Sequence, residues 1–262
     1  MRNIRLLLQY EGTRYQGWQK QTSTDNTIQG KLEKLLSRMC NEEIELQGSG
    51  RTDAGVHALG QTANFHTNSD MPTEEMLAYI NSYLPEDIAV IGAAEVPMDF
   101  NAIGSCLQKE YIYRIHNCRI RDPFLDRGAC FYPQPLDIDR MARAAEAFQG
   151  THDFAAVRSV GTETKTTVRT VHWCRAEKTG AMITVAVCAD GFLYNMVRAI
   201  VGTLVYASYG KLEPEEIPRL LELGDRRLTG PTMPPQGLYM NRVWYDGPAG
   251  ELMSAPESAL MP

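Results

Sequence analysis

The alternation of apolar and polar residues in the first hundred positions predicts strands and helices in the order βαββαβ. Every second residue from Ile4 to Tyr10 is strongly apolar, which is the two-residue period of a strand. Apolar residues then recur at helical spacing from Ile28 to Met39, and we predict Asn26 as the N-cap of that helix. The further predicted elements are strands at 43–47 and 61–67, a helix from Thr73 and a strand at 88–96.

The second half of the chain shows a similar order of elements without a residue-by-residue repeat. The predicted elements are strands at 111–116, 170–177, 181–188 and 237–245 and helices at 138–148, 192–209 and 214–223. Asp137 and Gly150 mark the two ends of the first helix. We therefore predict an α+β fold of two ferredoxin-like domains, residues 1–104 and 105–246. The segment 247–262, rich in Gly, Ala, Ser and Pro, is predicted to be a flexible tail.

Composition and charge exclude several classes of protein. Hydrophobic residues make up 44% of the chain, which is enough to build a core and excludes global disorder. The 26 basic and 32 acidic residues give a net charge of -6, so the chain is not a wholly basic nucleic-acid coat. An RNA-binding function would need its positive charge concentrated locally.

The sequence predicts neither a metal site nor a nucleotide cofactor. The 6 cysteines include no CxxC pair, and the 5 histidines show no zinc-binding spacing. Walker and GxGxxG loops are also missing from the sequence. We therefore expect reduced thiols, no metal and no cofactor. The N-terminal residues lack the pattern of a signal peptide, which predicts a cytoplasmic location.

The segment from Gly48 to His57 is the most unusual local sequence of the chain. It contains three glycines together with Arg51, Asp53 and His57, between two predicted strands. Such a loop suits the close approach of a backbone. It is either a tight turn in which Asp53 accepts a hydrogen bond from a neighbouring amide, or a site whose chemistry depends on the carboxylate. The chain offers no second copy of the motif, which argues against a two-aspartate acid hydrolase.

Arg198 is the only charged residue between Phe192 and Tyr209. This apolar stretch is too polar for a membrane span and is predicted to be a buried helix. A guanidinium in such a helix needs a carboxylate and further acceptors, because its desolvation is costly. We predict an acidic partner, for which Asp53 is a candidate. The alternative is that the Arg198 side chain reaches the surface at the edge of a groove.

Tyr111 and Tyr113 lie on one face of a predicted strand that also contains Lys109. Core packing is the common environment of strand aromatics, and we predict it for Tyr113. Tyr111 has a second interpretation, in which its ring points into a cleft and stacks on a planar base. Its hydroxyl would then be placed to exchange a proton.

Together these segments resemble the tRNA pseudouridine synthase A family, also called the TruA family, over nearly the whole chain to about Tyr245. The resemblance rests on short motifs in the order of the family. Those in the first half are Tyr10-Glu11-Gly12, Tyr15 to Gln19, Thr27-Ile28-Gln29, the loop from Gly50 to Ala58, and Leu84 to Ile88. Those in the second half are Lys109 to Tyr113, His152-Asp153-Phe154, Gly191 to Arg198, Gly230-Pro231-Thr232 and Gly237-Leu238-Tyr239.

The resemblance implies an isomerase that converts uridine to pseudouridine in the anticodon stem-loop of tRNA, at RNA positions 38, 39 and 40, without cofactor or metal. It also implies that the two ferredoxin-like domains share a continuous, mostly antiparallel sheet, with a basic catalytic cleft between them. The implied partners are tRNA and a second copy of the chain in a homodimer, with no membrane association.

The resemblance also implies roles for single residues. Asp53 matches the catalytic aspartate, Tyr111 the base-stacking tyrosine and Arg198 the arginine that pairs with the aspartate. Arg51 matches an RNA-contacting arginine of the loop. We also predict that His57 and Lys109, in the same motifs, bind substrate. The residues do not decide whether the carboxylate adds covalently or removes the ribose 2′ proton on the way to a glycal.

Three positions depart from the family pattern. Ile103 replaces an arginine, Val157 an aromatic residue and Ala199 an asparagine. Loss of an arginine can weaken a phosphate contact or alter which uridine is reached. Two alternatives therefore stay open: a divergent paralogue that modifies another RNA site, and a tRNA-binding protein without catalysis. A third, an aspartate-nucleophile hydrolase of a small molecule, lacks a second acid and a metal site.

Overall fold

The computed structural model of the protein describes residues 1–159 and 164–246. The strands in these ranges are β1 (Arg2–Tyr10), β2 (Gln47–Gly48), β3 (His57–Thr67), β4 (Ile88–Val96), β5 (Cys106–Asn117), β6 (Cys130–Tyr132), β7 (Gly150–Asp153), β8 (Val168–Thr179), β9 (Met182–Ala189) and β10 (Leu238–Tyr245). The α-helices are α1 (Ile28–Cys40), α2 (Thr73–Tyr83), α3 (Ile138–Glu146), α4 (Met196–Ser208) and α5 (Ile217–Leu223). Helices with mostly antiparallel strands confirm the predicted α+β class. The segment predicted to be a flexible tail, 247–262, lies outside the described residues.

The chain divides into two compact units. One consists of Met1–Leu107 and the chain from Tyr239, and the other of Gln108–Leu238. The sequence pattern instead placed the boundary at residue 104 and assigned the last strand to the second half. β10 from Tyr239 onward groups with the first unit, where it pairs in parallel with the start of β3.

The first unit follows the predicted order βαββαβ, with strands β4, β1 and β3 adjacent and antiparallel. The outer edge of β3 is shared: β10 pairs with its first residues and β2 pairs near Asn64. Ala58 consequently lies between Tyr10 of β1 and Met240 of β10. The start of β3 therefore pairs with a strand on each side, and this pairing fixes the end of the loop between β2 and β3.

Two local predictions in the first unit are wrong. The expected strand at 43–47 is reduced to Gln47–Gly48, because side chains of α1 take backbone donors that a strand would use. Ile44 N donates to Ser37 Oγ at 3.0 Å and Leu46 N donates to Glu33 Oε1 at 3.1 Å. The N-cap of α1 is Thr27 rather than Asn26, since the Thr27 hydroxyl accepts from Gly30 N.

In the second unit β5, β9, β8 and β7 are adjacent and antiparallel, and β6 lies parallel to β5. β7 was not predicted, and it begins at Gly150, which was expected to end α3. The predicted helix 192–209 begins four residues later, at Met196, because Asn195 has a left-handed backbone with φ 60°. The helix is buried along nearly its whole length, as predicted. None of the described helices is long and apolar enough to cross a membrane.

Candidate active site

Asp53 lies in a tight turn of the loop between β2 and β3. Val56 N donates to Asp53 O at 3.1 Å, and Gly55 has φ +79°, a left-handed conformation that favours glycine. The Asp53 side chain is half-buried, whereas Ala54 is exposed. The hydrogen bond that closes this turn uses the Asp53 main-chain carbonyl, so a structural turn and a functional carboxylate do not exclude each other.

The residue before Asp53 is fixed by contacts with the end of β1 and the segment that follows it. Tyr10 OH and Thr52 Oγ1 lie 2.8 Å apart, and both side chains are buried. Trp18 N donates to Thr52 O at 2.9 Å. A Cβ atom at Gly17 would lie 2.7 Å from the same oxygen, so only glycine allows this approach. These contacts hold the backbone at the position where the carboxylate projects.

His57, which follows the turn, has a buried position in the first unit. It is 1% exposed, and its ring stacks on Tyr239 with centroids 4.6 Å apart. Gly12 N donates to His57 Nδ1 at 2.9 Å, so this nitrogen carries no proton although the Glu11 carboxylate lies 3.5 Å away. Substrate binding by His57 stays a prediction. Its burial favours a positioning role, in which the ring anchors the start of β3.

Replacing Tyr10 by phenylalanine is expected to lower the free energy of unfolding by about 1–2 kcal/mol, because the buried Thr52 hydroxyl loses its partner. Urea denaturation of the purified protein measures this change. Tyr83→Phe is the matched control, since that tyrosine is exposed. Equal stability of the Tyr10 variant and the control would show that the contact does not brace the loop.

Arg198 lies in the first turn of α4 and is oriented by hydrogen bonds within the second unit. Nε donates to Met233 O at 2.6 Å, and one terminal nitrogen donates to Asn195 Oδ1 at 2.5 Å. Asn195 Nδ2 in turn donates to Ser159 Oγ at 3.0 Å. The half-buried Arg198 side chain is thus fixed in direction. An acidic partner for its guanidinium stays a prediction, as does the alternative in which the side chain reaches the surface at the edge of a groove.

A close crossing of backbones places Met233 beside Arg198. The segment from Gly230 passes over α4 at Gly202, where an added Cβ atom would lie 1.8 Å from Pro231 O. An added Cβ atom at Gly230 would lie 2.0 Å from Gly202 O. Gly230 N also donates to Thr203 Oγ1 at 3.1 Å. The two glycines therefore allow the approach that supplies the carbonyl acceptor of Arg198.

Tyr111 lies on β5 opposite Val187 of β9. Its ring is nearly buried and meets the ring of Phe192 edge to face, with centroids 4.9 Å apart. Tyr113, on the same strand face, is fully buried and its hydroxyl donates to Pro234 O at 2.7 Å. Burial raises the pKa of the Tyr113 hydroxyl. The prediction of core packing for Tyr113 is confirmed.

The two predicted basic contacts differ in environment. Arg51 is exposed and makes no hydrogen bond or ion pair with residues 1–159 or 164–246. Its guanidinium is therefore available to a ligand. Lys109 is half-buried on β5, where it lies opposite Ala189.

The described part of the chain contains no group of three His, Cys, Asp or Glu side chains that could hold a metal ion. All six cysteines are free thiols. Burial raises the pKa of the Cys174 thiol to about 12, which keeps it neutral and unreactive at physiological pH.

The three departures from the family pattern differ in exposure. Val157 and Ala199 are fully buried and take part in core packing. Ile103 is 59% exposed, so the arginine that it replaces would have reached solvent. Only the change at Ile103 therefore alters the surface that a ligand meets.

Sequence reasoning assigned no role to Tyr10, Thr52 or Asn195. Tyr10 and Asn195 lie in motifs that carry the family resemblance, but nothing in their local sequence indicates a contact with the loop or with Arg198. The one local signal is the residue type at position 195, because asparagine tolerates the left-handed backbone that Asn195 has in the structure.

Comparison with known proteins identifies what this chain resembles. The sequence profile of a family described as "tRNA pseudouridine synthase" matches residues 7–103 and 144–246. A protein of Caldicellulosiruptor bescii named "tRNA pseudouridine synthase A" is 46% identical over 245 residues, 94% of this chain and 100% of that protein. The protein of the same name from Acetivibrio thermocellus is 42% identical over the same shares. "tRNA pseudouridine synthase A 2" of Clostridium perfringens is 45% identical over 246 residues, again 94% and 100%.

Proposed function

Because the chain belongs to the tRNA pseudouridine synthase family, we propose that it isomerises uridine to pseudouridine in the anticodon stem-loop of tRNA, at positions 38, 39 and 40. The observation that carries this proposal is the Asp53 turn, held by backbone hydrogen bonds between β2 and β3 in a chain that matches these synthases over nearly its full length. The reaction is an isomerisation, and the proposal invokes no cofactor or metal.

The reaction explains why an ionised carboxylate is needed. The bond between uracil N1 and ribose C1′ breaks, the base turns, and its C5 bonds to C1′. Asp53 promotes the first step either by adding to C1′ or by removing the 2′ proton to form a glycal. Both routes need a negative charge at a fixed position. The Thr52 hydroxyl contact and the left-handed backbone of Gly55 fix the backbone of the turn that carries the carboxylate.

Arg198 supports this carboxylate in the proposal. An opposite charge within about 4–6 Å favours the ionised form of an acid. The hydrogen bonds to Met233 and Asn195 fix the direction of the guanidinium and lower the entropy that is lost when it binds an anion. Arg51 and Lys109 add positive charge for the RNA backbone.

Tyr111 is proposed to stack on the target base and to remove the C5 proton after the new bond has formed. Tyr111→Phe keeps the ring and its edge contact with Phe192 but removes the hydroxyl. We expect a single-turnover rate lower by about 10²-fold or more, with unchanged tRNA affinity. Quench-flow kinetics on unmodified tRNA measures the rate, and Tyr83→Phe, which removes an exposed hydroxyl, is the control. A wild-type rate for Tyr111→Phe would remove the proton-transfer role.

The experiment that tests the function is incubation of the purified protein with unmodified tRNA transcripts. Pseudouridine is mapped by carbodiimide-induced stops or mass spectrometry, with Asp53→Ala as control. Product at positions 38, 39 and 40 that is absent from the control supports the proposal. Product at another RNA site would support the divergent paralogue, the alternative that the exposed Ile103 in place of an arginine keeps open. Binding without product on total RNA would support the non-catalytic alternative.

The proposal includes a homodimer in the cytoplasm, where the tRNA substrate is found. Light scattering of the purified protein measures the mass of the assembly, with and without tRNA.

A further inference from the structure

We propose that the loop between β5 and β6, residues 118–129, binds RNA through the ring of Phe124 and the guanidinium groups of Arg119 and Arg127. This inference rests on the proposed function, since it adds a second contact with the tRNA. We refer to residues 118–129 as the β5–β6 loop.

The β5–β6 loop presents apolar side chains to solvent without an evident benefit for folding. Phe124 is 95% exposed and Ile120 is 82% exposed, the two highest values for large apolar side chains in the described ranges. An aromatic ring with both faces in water gains nothing from the hydrophobic effect in the isolated chain. Burial against a partner would recover that free energy.

The backbone that carries Phe124 is ordered by its own hydrogen bonds. Phe124 N donates to Asp122 Oδ1 at 2.9 Å, and Leu125 N donates to Asp122 O at 3.1 Å. Gly128 N and Ala129 N both donate to Leu125 O, at 3.0 and 2.9 Å. The ring is therefore displayed by two consecutive turns, and stacking on it would immobilise little additional backbone.

The charges of the β5–β6 loop favour an anionic partner. Arg121 is neutralised by Asp126 at 3.1 Å and lies over the ring of Phe131. Arg119 and Arg127 are exposed, and neither makes a hydrogen bond or ion pair within residues 1–159 and 164–246. The loop also contains Asp122, whose carboxylate accepts from Phe124 N, so its three arginines and two aspartates give it a net charge of +1. In a chain with a net charge of -6, a loop that carries Arg119, Arg127 and an exposed aromatic ring is a locally positive segment. Guanidinium groups with an aromatic platform are the combination that binds phosphates and unpaired bases.

A second copy of this chain fits the β5–β6 loop less well. A twofold contact brings the same surface of both copies together. If it were centred on this loop, two copies of a segment with a net charge of +1 would face each other. Like charges across an interface oppose association, whereas RNA phosphates complement them.

The position of the loop along β5 separates this contact from the reacting uridine. A strand advances about 3.3 Å per residue, so the end of β5 at Asn117 lies about 20 Å from Tyr111 along the strand. A contact at this distance reaches nucleotides other than the one at Tyr111. It should contribute to tRNA binding and leave the chemical step unchanged.

The test uses the full chain and compares tRNA affinity with the single-turnover rate. Phe124→Ala and the double variant Arg119→Gln/Arg127→Gln are measured by filter binding to an unmodified tRNA transcript at several salt concentrations. Phe124→Ala should weaken binding roughly 5- to 100-fold. The double variant should weaken binding and lower the salt slope by about two, since each phosphate contact contributes about one. For both variants, the single-turnover rate at saturating tRNA should equal that of the wild type.

Matched controls come from the same unit. Leu223→Ala removes another exposed apolar side chain, and Arg143→Gln removes another exposed arginine on α3. Wild-type affinity of Phe124→Ala, with normal conversion by the wild-type protein, would overturn this inference alone. A change from dimer to monomer in Phe124→Ala, seen by light scattering without tRNA, would overturn it in favour of a contact between copies. Absence of tRNA binding and conversion by the wild-type protein would instead refute the proposed function, and this inference with it.

Discussion

Asp53→Asn is expected to slow the single-turnover conversion of uridine to pseudouridine by at least about 10³-fold. The amide cannot carry the negative charge that both routes to bond cleavage require. The turn itself should not change, because the Val56 N contact uses the Asp53 carbonyl and Gly55 supplies the left-handed backbone. We therefore expect a folded variant that binds tRNA but does not convert it.

Two further variants separate charge from position. Asp53→Glu keeps the carboxylate but moves it by one methylene group, and a displacement of this size lowers a rate by about 10². Asp25→Asn makes the same substitution as Asp53→Asn at an exposed site in the first unit and should leave the rate unchanged. Thermal unfolding and filter binding check that each variant folds and binds. Conversion by Asp53→Asn at the wild-type rate would show that another group performs the chemistry.

Elements with a strong hydrophobic period could be predicted from the sequence, whereas those decided by distant contacts could not. The period of α1 follows from one buried face. In β1 residues on both faces are buried, and the period reflects the more strongly apolar of the two. The region 43–46 has strand-like residues, but Glu33 and Ser37 of α1 take its backbone donors. No local pattern reveals that competition, because it depends on how the helix packs on the chain that follows it.

The same distinction applies to the candidate site. Asp53 and Arg198 could be singled out because each is a charged residue in an unusual setting, between glycines or within an apolar stretch. Tyr10 could not, since it acts through a hydroxyl contact with a residue 42 positions away. The role of Gly202 was also hidden, because a glycine within a helix is otherwise only a weak helix former.

Gly202→Ala is expected to lower the free energy of unfolding of the second unit by at least about 2 kcal/mol. Helix propensity alone would favour alanine by about 1 kcal/mol, so the steric clash decides the sign. The new methyl group would lie 1.8 Å from Pro231 O, and backbone must move to accept it. Thermal unfolding should show a midpoint lower by roughly 4–8 °C. In Gly191→Ala the methyl group meets only the flexible Arg169 side chain at 3.4 Å, so this control should unfold as the wild type.

The clash at Gly230 involves the same backbone crossing, because an added Cβ there would lie 2.0 Å from Gly202 O. Once either alanine has separated α4 from the Gly230 segment, the second methyl group enters space that is already open. The double variant Gly202→Ala/Gly230→Ala should therefore lose less stability than the sum of the single losses. That separation also moves Met233 O away from Arg198, so the three variants should share a lowered conversion rate. Additive stability losses would mean that each glycine serves a separate contact. Lower stability with a wild-type rate would mean that the crossing supports the fold but does not orient Arg198.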